Sequence, residues 1–271
     1  MKVTLWQMTR WVGFLAALWL GLANTASSQT VFLSDSTAPR VDSLCLQFQQ
    51  LYIQIREETI EPDSARLTFQ QIMNGLRSRF RMTEPLRLDS VAKAEFVSQF
   101  GYFNFPLRGY GPNAIGGVRG NGYRGVGFDL FDYQVRGSHP AQDIFIRDRN
   151  QDSVDDNTGQ PTDVLAMSNG VVIGIETAWN PGQEYRGGNW IWIYDPVLDG
   201  LFYYAHNNAV FVKPGDWVLP GQKIAEVGRT GFNAYKTRSP THLHLMYLQL
   251  RPDGLPEPRN TYRWLIGARM N

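Results

Sequence analysis

The sequence predicts a mainly β protein, an antiparallel β-sheet or sandwich domain preceded by an α-helical hairpin. Before residue 100, apolar residues recur every three or four positions, as they do along one face of a helix. After residue 100, glycine-rich turns separate short runs of β-branched and aromatic residues. We therefore divide the chain into a leader at residues 1–28, a helical region at residues 29–100 and a β domain at residues 101–271.

The leader has the layout of a secretory signal peptide. Lys2 and Arg10 precede an uncharged run from Trp11 to Ala23, and small residues follow that run. Because the run is shorter than the roughly 20 apolar residues that span a bilayer, we expect cleavage and no stable membrane insertion. An uncleaved anchor is the alternative. Either outcome predicts a secreted or periplasmic protein of the cell envelope.

Composition indicates a globular protein without nucleic-acid partners. The 271 residues are 43% hydrophobic, which is enough for a packed core, and the net charge is only +1. A balanced charge lacks the basic surface that binds phosphate backbones. Cys45 is the single cysteine, so no intramolecular disulfide forms, and its apolar helical context predicts a buried hydrophobe rather than a nucleophile.

The helical region predicts two amphipathic helices. Apolar residues of the first helix are spaced three or four apart, at Val41, Leu44, Phe48, Leu51 and Ile55. Glu61, Pro62 and Asp63 interrupt this pattern before a second helix. Neither helix contains a histidine or a cluster of carboxylates, so we expect support, docking or masking from the hairpin rather than chemistry.

Turn signals divide the β domain into strands. Glycines crowd residues 111–127, but no GK[ST] follows them, so this segment is predicted to be a loop and not a phosphate cradle. Two antiparallel pairs are predicted around short turns, DVLAM with VVIGIET and NWIWIY with LFYYAH. HLHLMYLQL is predicted to be the last long strand.

His242 and His244 are half of the four histidines in the chain. Residues two apart on a strand point to the same face, so the two rings can converge on one point. The alternative is that they lie on the polar face of a half-exposed strand.

His139 and Asp143 are four residues apart. Pro140 disfavours helical geometry at His139, so His139 is predicted on a loop and Asp143 at the entrance of a strand. A histidine, a carboxylate and a second histidine from a distant strand fit a zinc site with three protein ligands and one open position. The alternative for this fragment alone is a surface ion pair.

The fragments HPAQD, YAH and HLH occur in this order and use every histidine in the chain. Together with GVV and PGDWVLPGQKIAEVGRTG, they resemble the lysostaphin and LytM-type zinc metallopeptidases over roughly residues 102–250. The resemblance implies that His139, Asp143 and His244 hold zinc, while His206 and His242 flank the bound water and the scissile carbonyl as catalytic residues. Ala141 departs from the glycine that is frequent in this family.

The same resemblance implies a secreted zinc metalloendopeptidase that hydrolyses peptide bonds in peptidoglycan cross-links. The alternative is a non-catalytic LytM-like module that binds cell wall or regulates another cell-wall hydrolase. VKPGDWVLPGQKI also resembles the hybrid motif of lipoyl and biotinyl carriers, but no lysine stands at a hairpin tip to carry the cofactor.

Two further features accompany the histidines. A charged insertion at residues 148–159 has oxygen-bearing side chains spaced as in a calcium loop of EF-hand type, at Asp148, Asn150, Asp152 and Asp156. It lacks the usual glycine and closing glutamate, so a solvated acidic loop is the alternative. Aromatic residues are candidates for lining a peptide groove or for core packing, namely Trp179, Tyr185, Trp190, Trp192 and Tyr235.

Overall fold

The computed structural model describes residues 40–80, 102–134 and 137–271. The proposed signal peptide at residues 1–28 lies outside the described residues, as do residues 81–101 of the helical region. Within the described ranges, no helix combines the length and the apolar character needed to cross a bilayer.

The predicted helical hairpin is confirmed. Helix α1 spans Val41–Arg56 and helix α2 spans Pro62–Arg79. Pro62 opens α2, where its missing N–H costs no hydrogen bond and its backbone angle suits a first turn. Cys45 is fully buried, and burial raises the pKa of its thiol to about 11, as expected for a structural residue.

Within the described residues, ten strands form two antiparallel sheets. The strands are β1 (Ala141–Phe145), β2 (Asp163–Leu165), β3 (Gly170–Glu176), β4 (Trp190–Asp195), β5 (Gly200–Ala205), β6 (Asn207–Val210), β7 (Trp217–Val218), β8 (Lys223–Val227), β9 (His242–Leu250) and β10 (Pro256–Arg259). The large sheet has the order β1-β9-β5-β4-β3-β7, with β10 also paired to β9, and the small sheet has the order β2-β8-β6. A short 3-10 helix, Pro112–Ala114, and helix α3, Tyr262–Ile266, complete the described elements.

Alternate side chains along the strands of the large sheet point to opposite faces, so the protein has three layers, namely the small sheet, the large sheet and the hairpin. Side chains such as Leu243 and Leu245 of β9 pack with the small sheet in one core. Their neighbours, such as Met246 and Leu248, lie on the opposite face, where they share a second core with the hairpin. Phe48 of α1 is at the centre of this second core, since it is 1% exposed. The large sheet is therefore the middle layer, and its strands are buried on both faces.

The mainly antiparallel β architecture is confirmed, but one predicted strand pair is wrong. NWIWIY and LFYYAH do pair, as β4 and β5. DVLAM does not pair with VVIGIET, because β2 pairs with β8 in the small sheet while β3 pairs with β4 and β7 in the large one. The short turn between β2 and β3 therefore carries the chain from one sheet to the other.

Asp195 determines the turn between β4 and β5. Its buried carboxylate accepts hydrogen bonds from the backbone N–H groups of Val197 and Leu198, at 2.9 and 3.0 Å, and from the hydroxyl of Tyr102. Burial nevertheless raises the pKa of this carboxyl to about 6, since it outweighs the hydrogen bonds that favour the charged form. The turn directs β5 towards the candidate site described below.

We predict that Asp195 makes the stability of the fold depend on pH. A carboxyl whose pKa is raised by folding stabilises the native state in its neutral form. Its contribution is therefore complete below pH of about 4 and is lost as the pH rises through about 6, by about 2 to 3 kcal/mol. The free energy of unfolding in urea can be measured for the wild type and for Asp195→Asn from pH 4 to 7. The difference between the two free energies gives the contribution of Asp195 at each pH. A pH-independent difference would contradict the prediction.

Candidate metal centre

The pairing of β1 with β9 places two candidate ligands side by side. In this antiparallel ladder Asp143 lies directly opposite His244, and Phe145 lies opposite His242. Directly opposed residues have Cβ atoms about 4.5 to 5.5 Å apart and share a face of the sheet. This face is the one that the hairpin covers further along β9. Asp143 lies within β1 rather than at its entrance, because the strand begins at Ala141.

His139 completes a group of three candidate ligands. Its Nε2 atom lies 3.2 Å from the Asp143 carboxylate, and Nδ1 of His244 lies 3.0 Å from the same carboxylate. One ligand atom from each residue lies within 4.8 Å of the others, and in the described part of the chain no other group of histidine, cysteine or acidic residues meets this criterion. The three residues predicted to hold zinc are thus brought together.

The protonation of these residues suits a cation. Nδ1 of His139 is hydrogen bonded to the Gly122 carbonyl at 2.9 Å, which directs Nε2 towards Asp143. Burial raises the pKa of Asp143, but the hydrogen bonds from His139 and His244 lower it by a larger amount. This pKa is therefore well below its usual range. Burial lowers the pKa of His139, yet the interaction with Asp143 outweighs it, so this pKa is raised.

The donor set fits zinc. Two imidazole nitrogens and one ionised carboxylate oxygen match the ligands that zinc takes in catalytic sites, where a fourth position stays open. Asp143 favours the protonated form of His139, and a cation can bind this imidazole only after the proton has left. Affinity for metal should therefore rise as the pH rises through the pKa of His139.

His206 and His242 lie beside the candidate ligands with a common orientation. Nδ1 of His206 is hydrogen bonded to the Thr230 carbonyl at 2.8 Å, and Nδ1 of His242 to the Pro240 carbonyl at 2.7 Å. A carbonyl only accepts, so Nδ1 carries the proton in each ring and Nε2 has the lone pair. The two ring centres are 4.9 Å apart. Both imidazoles therefore present a proton acceptor at Nε2.

Burial keeps both rings neutral. Burial lowers the pKa of His206 well below its ordinary value, and the nearby charges of His242 and His244 lower it further. Burial also lowers the pKa of His242, against the opposing effect of Asp143. These two histidines are thus deprotonated at neutral pH and can accept a proton, which is the requirement for a general base.

His206 is held in a strained backbone conformation. Its φ angle is +68°, in the left-handed region that non-glycine residues rarely adopt, and its N–H group is hydrogen bonded to the Gly187 carbonyl. Gly231, at φ +108°, passes so close that an added Cβ would lie 3.0 Å from Nδ1 of His206. Such strain persists only where the surroundings enforce it.

A cavity of about 400 Å³ opens over all five residues. The hairpin lines it with Tyr52 and Arg56, and residues 128–133 line it from another side. The guanidinium of Arg56 forms ion pairs with Glu176 and Glu57 and lies 3.8 Å from the ring centre of Tyr185. The hairpin was expected to serve in support, docking or masking, but its part in this wall was not predicted, because neither Tyr52 nor Arg56 belongs to a recognisable motif.

The candidate groove aromatics separate into three places. Tyr185 and Trp190 line the cavity over the histidines. Trp192 is fully buried between the large sheet and the hairpin, 5.9 Å from Phe48 between ring centres. Trp179 and Tyr235 line a different groove. Core packing accounts for Trp192 and also for most of the Trp190 ring, since Trp190 is only 2% exposed and belongs to the core shared with the hairpin.

Residues 149–254 match the model of Peptidase family M23. This segment of the chain is similar to the M23 peptidases. The matched segment contains His206, His242 and His244, whereas His139 and Asp143 precede it. M23 peptidases depend on zinc, in agreement with the donor set found here.

Solved structures of low sequence identity resemble the chain. The catalytic domain of lysostaphin, an antimicrobial peptidase of Staphylococcus simulans, is 24% identical over 57% of this chain and 94% of its own, with a TM-score of 0.37. A Ruminococcus gnavus protein assigned as the glycyl-glycine endopeptidase LytM is 19% identical over 82% of this chain and 88% of its own, with a TM-score of 0.42. A zinc-containing peptidase of Vibrio cholerae is 21% identical over 63% of this chain and 41% of its own, with a TM-score of 0.36. No curated protein matches the sequence.

The charged insertion at residues 148–159 gives no support for calcium. The carboxylate of Asp148 is buried and accepts hydrogen bonds from the N–H groups of Asp152 and Ser153 and from the hydroxyl of Thr241. Asp152 accepts a hydrogen bond from Asn150, and the three aspartates predicted as ligands do not bring oxygens within 4.8 Å of one another.

A second predicted oxygen ligand is also engaged by the loop itself. The carboxylate of Asp156 accepts a hydrogen bond from the backbone N–H of Arg149. These contacts close the loop through its own N–H groups.

We predict that His244 and His242 differ in their effect on metal. His244→Ala removes one of three candidate ligands, so zinc affinity should fall by at least about a hundredfold. His242→Ala leaves that set complete, so zinc content should stay unchanged. Metal analysis of both variants after dialysis tests this, with Asp143→Ala expected to follow His244 and His206→Ala to follow His242. Zinc loss in His242→Ala with retention in His244→Ala would contradict the assignment.

We predict that calcium does not stabilise the protein. A cation that bound the insertion only in the native state would raise the melting temperature. Because the carboxylate of Asp148 is engaged by N–H and O–H donors, the melting curve should be the same with and without millimolar calcium. A calcium-dependent rise that Asp152→Asn abolishes would show a site.

Proposed function

We propose that this protein is a zinc metalloendopeptidase that hydrolyses peptide bonds in peptidoglycan cross-links. The observation that supports this most is the arrangement of two neutral imidazoles, His206 and His242, beside a complete His-Asp-His donor set in one cavity. A purely structural metal site needs no such pair of proton acceptors.

His139, Asp143 and His244 would hold the zinc ion. When bound, zinc supplies Lewis acidity, which polarises a carbonyl and lowers the pKa of water towards about 7. Nε2 of His242 lies 3.7 Å from the Asp143 carboxylate, so this acceptor is adjacent to the donor set. We assign to this atom the acceptance of a proton from the attacking water.

His206 supplies a second acceptor on the other side of the site. Its ring centre is 5.5 Å from that of His244, and Nδ1 is held by the Thr230 carbonyl. Nε2 of a histidine in this orientation can steady the developing oxyanion once protonated, or pass a proton to the leaving amine. The strained backbone of His206 holds the ring at this position.

The walls of the cavity favour an extended peptide. Tyr203 and Trp190 of the large sheet and Tyr52 of the hairpin form an apolar aromatic surface beside the donor set. Such a surface excludes water from the reacting groups and contacts an uncharged backbone. A secreted or periplasmic location is part of the proposal, because the layout of residues 1–28 is that of a signal peptide and cross-links lie outside the cytoplasm.

The alternative function is a non-catalytic module that binds cell wall or regulates another hydrolase. Such a module has no use for a complete donor set with two neutral histidines. Incubation of the zinc-loaded protein with purified peptidoglycan separates the two functions, because binding without cleavage identifies the module.

We predict that the zinc-loaded protein releases new amino termini from purified peptidoglycan. His242→Ala should retain zinc and lose roughly 10² to 10⁴ in rate, as expected for a lost acid or base. Mass spectrometry of the soluble fragments identifies the bond that is cleaved. Sedimentation of the intact protein with peptidoglycan, together with unchanged cross-linking after long incubation of several wall types, would contradict the proposal and favour the regulator.

A further inference from the structure

A second groove lies on the far side of the loop 231–239 from the metal centre. Its volume is about 700 Å³. Asn233, Ala234 and Ser239 of this loop line the cavity over the histidines, whereas Tyr235 lines the second groove. The charged insertion lines the opposite side. The same loop thus lines both spaces.

An aromatic pair forms one side of the second groove. The rings of Trp179 and Tyr235 have centres 5.7 Å apart and are inclined by 56°. Tyr235 is 53% exposed, although a ring of this size is normally covered. The indole Nε1 of Trp179 is buried, and no hydrogen-bond acceptor reaches it within the described residues. The protein alone therefore leaves the Tyr235 ring incompletely covered, while Trp179 is only 8% exposed and packs against it with its indole N–H unbonded.

Uncharged polar groups form the other side. Asn150, Gln151 and Asn208 contribute side-chain amides, and Ser153 and Thr237 also line the groove. No carboxylate is among the lining residues within the described chain, so an acceptor-rich ligand meets no repulsion there. Amides donate and accept, which matches ligands that carry both hydroxyl and acetamido groups.

Two cationic residues lie in the same wall. Arg229 is 9% exposed and donates to the carbonyls of Lys236 and Ser239, so it holds the loop 231–239. The ammonium of Lys236 lies 3.7 Å from the ring centre of Phe232. Arg229 is thereby committed to the frame of the groove rather than to a ligand.

The groove is tied to the metal centre by hydrogen bonds. Gln151 of the insertion donates to the Thr237 carbonyl at 2.8 Å, which links the two sides. The backbone N–H of Trp179 donates to the side-chain oxygen of Asn189, and the backbone N–H of Asn189 donates to the hydroxyl of Thr230. The carbonyl of the same threonine holds Nδ1 of His206. The aromatic pair is thus rigidly positioned relative to a residue of the proposed chemistry.

We propose that the second groove binds an N-acetylated sugar, the glycan portion of the substrate whose peptide occupies the first cavity. The C–H face of a pyranose ring is apolar and packs against an aromatic ring, whereas its hydroxyl and acetamido groups require amide partners at the edge. Tyr235 supplies the aromatic ring, with Trp179 packed against it, and Asn150 and Gln151 are placed to supply the amide partners. The inference rests on the proposed function for the identity of the glycan, but sugar binding itself does not require hydrolysis.

Titration with chitotriose, a trimer of N-acetylglucosamine without peptide, tests the proposal. The full-length zinc-loaded protein should bind it with millimolar affinity, measured by tryptophan fluorescence and by NMR line shifts. Tyr235→Ala should weaken binding by about tenfold, since one stacked ring is lost, whereas Tyr235→Phe should retain it. Phe211→Ala removes a comparably exposed aromatic ring, 54% exposed and not among the residues lining either space, and should bind like the wild type.

Kinetics distinguish this subsite from the proposed chemistry. Tyr235→Ala should raise KM about tenfold on cross-linked fragments that carry sugars, with kcat unchanged and no effect on sugar-free peptides. Chitotriose binding by a protein that hydrolyses nothing would overturn the proposed function and leave the sugar site standing. Three results would overturn the sugar site even if hydrolysis persists. The first is that chitotriose shows no saturable binding, and the second is that it binds Tyr235→Ala and the wild type with equal affinity. The third result is that a sugar-free stem peptide, and not chitotriose, competes with the cross-linked substrate.

Discussion

The ladder between β1 and β9 is the constraint on which the site depends. Asp143 is opposite His244 in this ladder, so one pairing joins residues that are 101 positions apart in the chain. A shift of one residue would turn every side chain of one strand to the other face and would bury the carboxylate against the small sheet. The register is secured because Leu243 and Leu245 must face the core between the sheets. Hydrophobic burial on one face thus determines the chemistry on the other.

The face that carries the candidate ligands is also the face that needs the hairpin. Met246, Leu248 and Leu250 continue β9 beyond His244 on this side and would be exposed without the helices. Bidentate contact of Arg77 with Asp199, at 2.9 and 2.7 Å, anchors α2 to the turn after β4. Because α1 ends above the site, its Tyr52 and Arg56 become part of the cavity. The same helix therefore covers the sheet and lines the cavity.

Backbone carbonyls orient every histidine whose Nδ1 faces away from the centre. Gly122, Thr230 and Pro240 each accept a hydrogen bond from one imidazole, which leaves Nε2 as the functional nitrogen. His244 differs, because its Nδ1 faces Asp143. These carbonyls come from loops, and loops hold such positions only when they are themselves tied down. The buried Arg229 and the hydroxyl of Thr230 perform this task around His206.

The sequence by itself determined the helical hairpin, most of the strands and the set of residues from which the site is made. Periodicities of three to four and of two are local, so the apolar positions of α1 and the pairing of β4 with β5 could be predicted from neighbouring residues.

The partner of β2, the wall formed by Tyr52 and Arg56 and the role of the Gly122 carbonyl were decided only by the tertiary structure. Each of these depends on segments far apart in the chain, whose packing on a common sheet leaves no periodic trace in the sequence. The charged insertion shows the same division, since its spacing suggested a cation while folding turned its oxygens onto its own N–H groups.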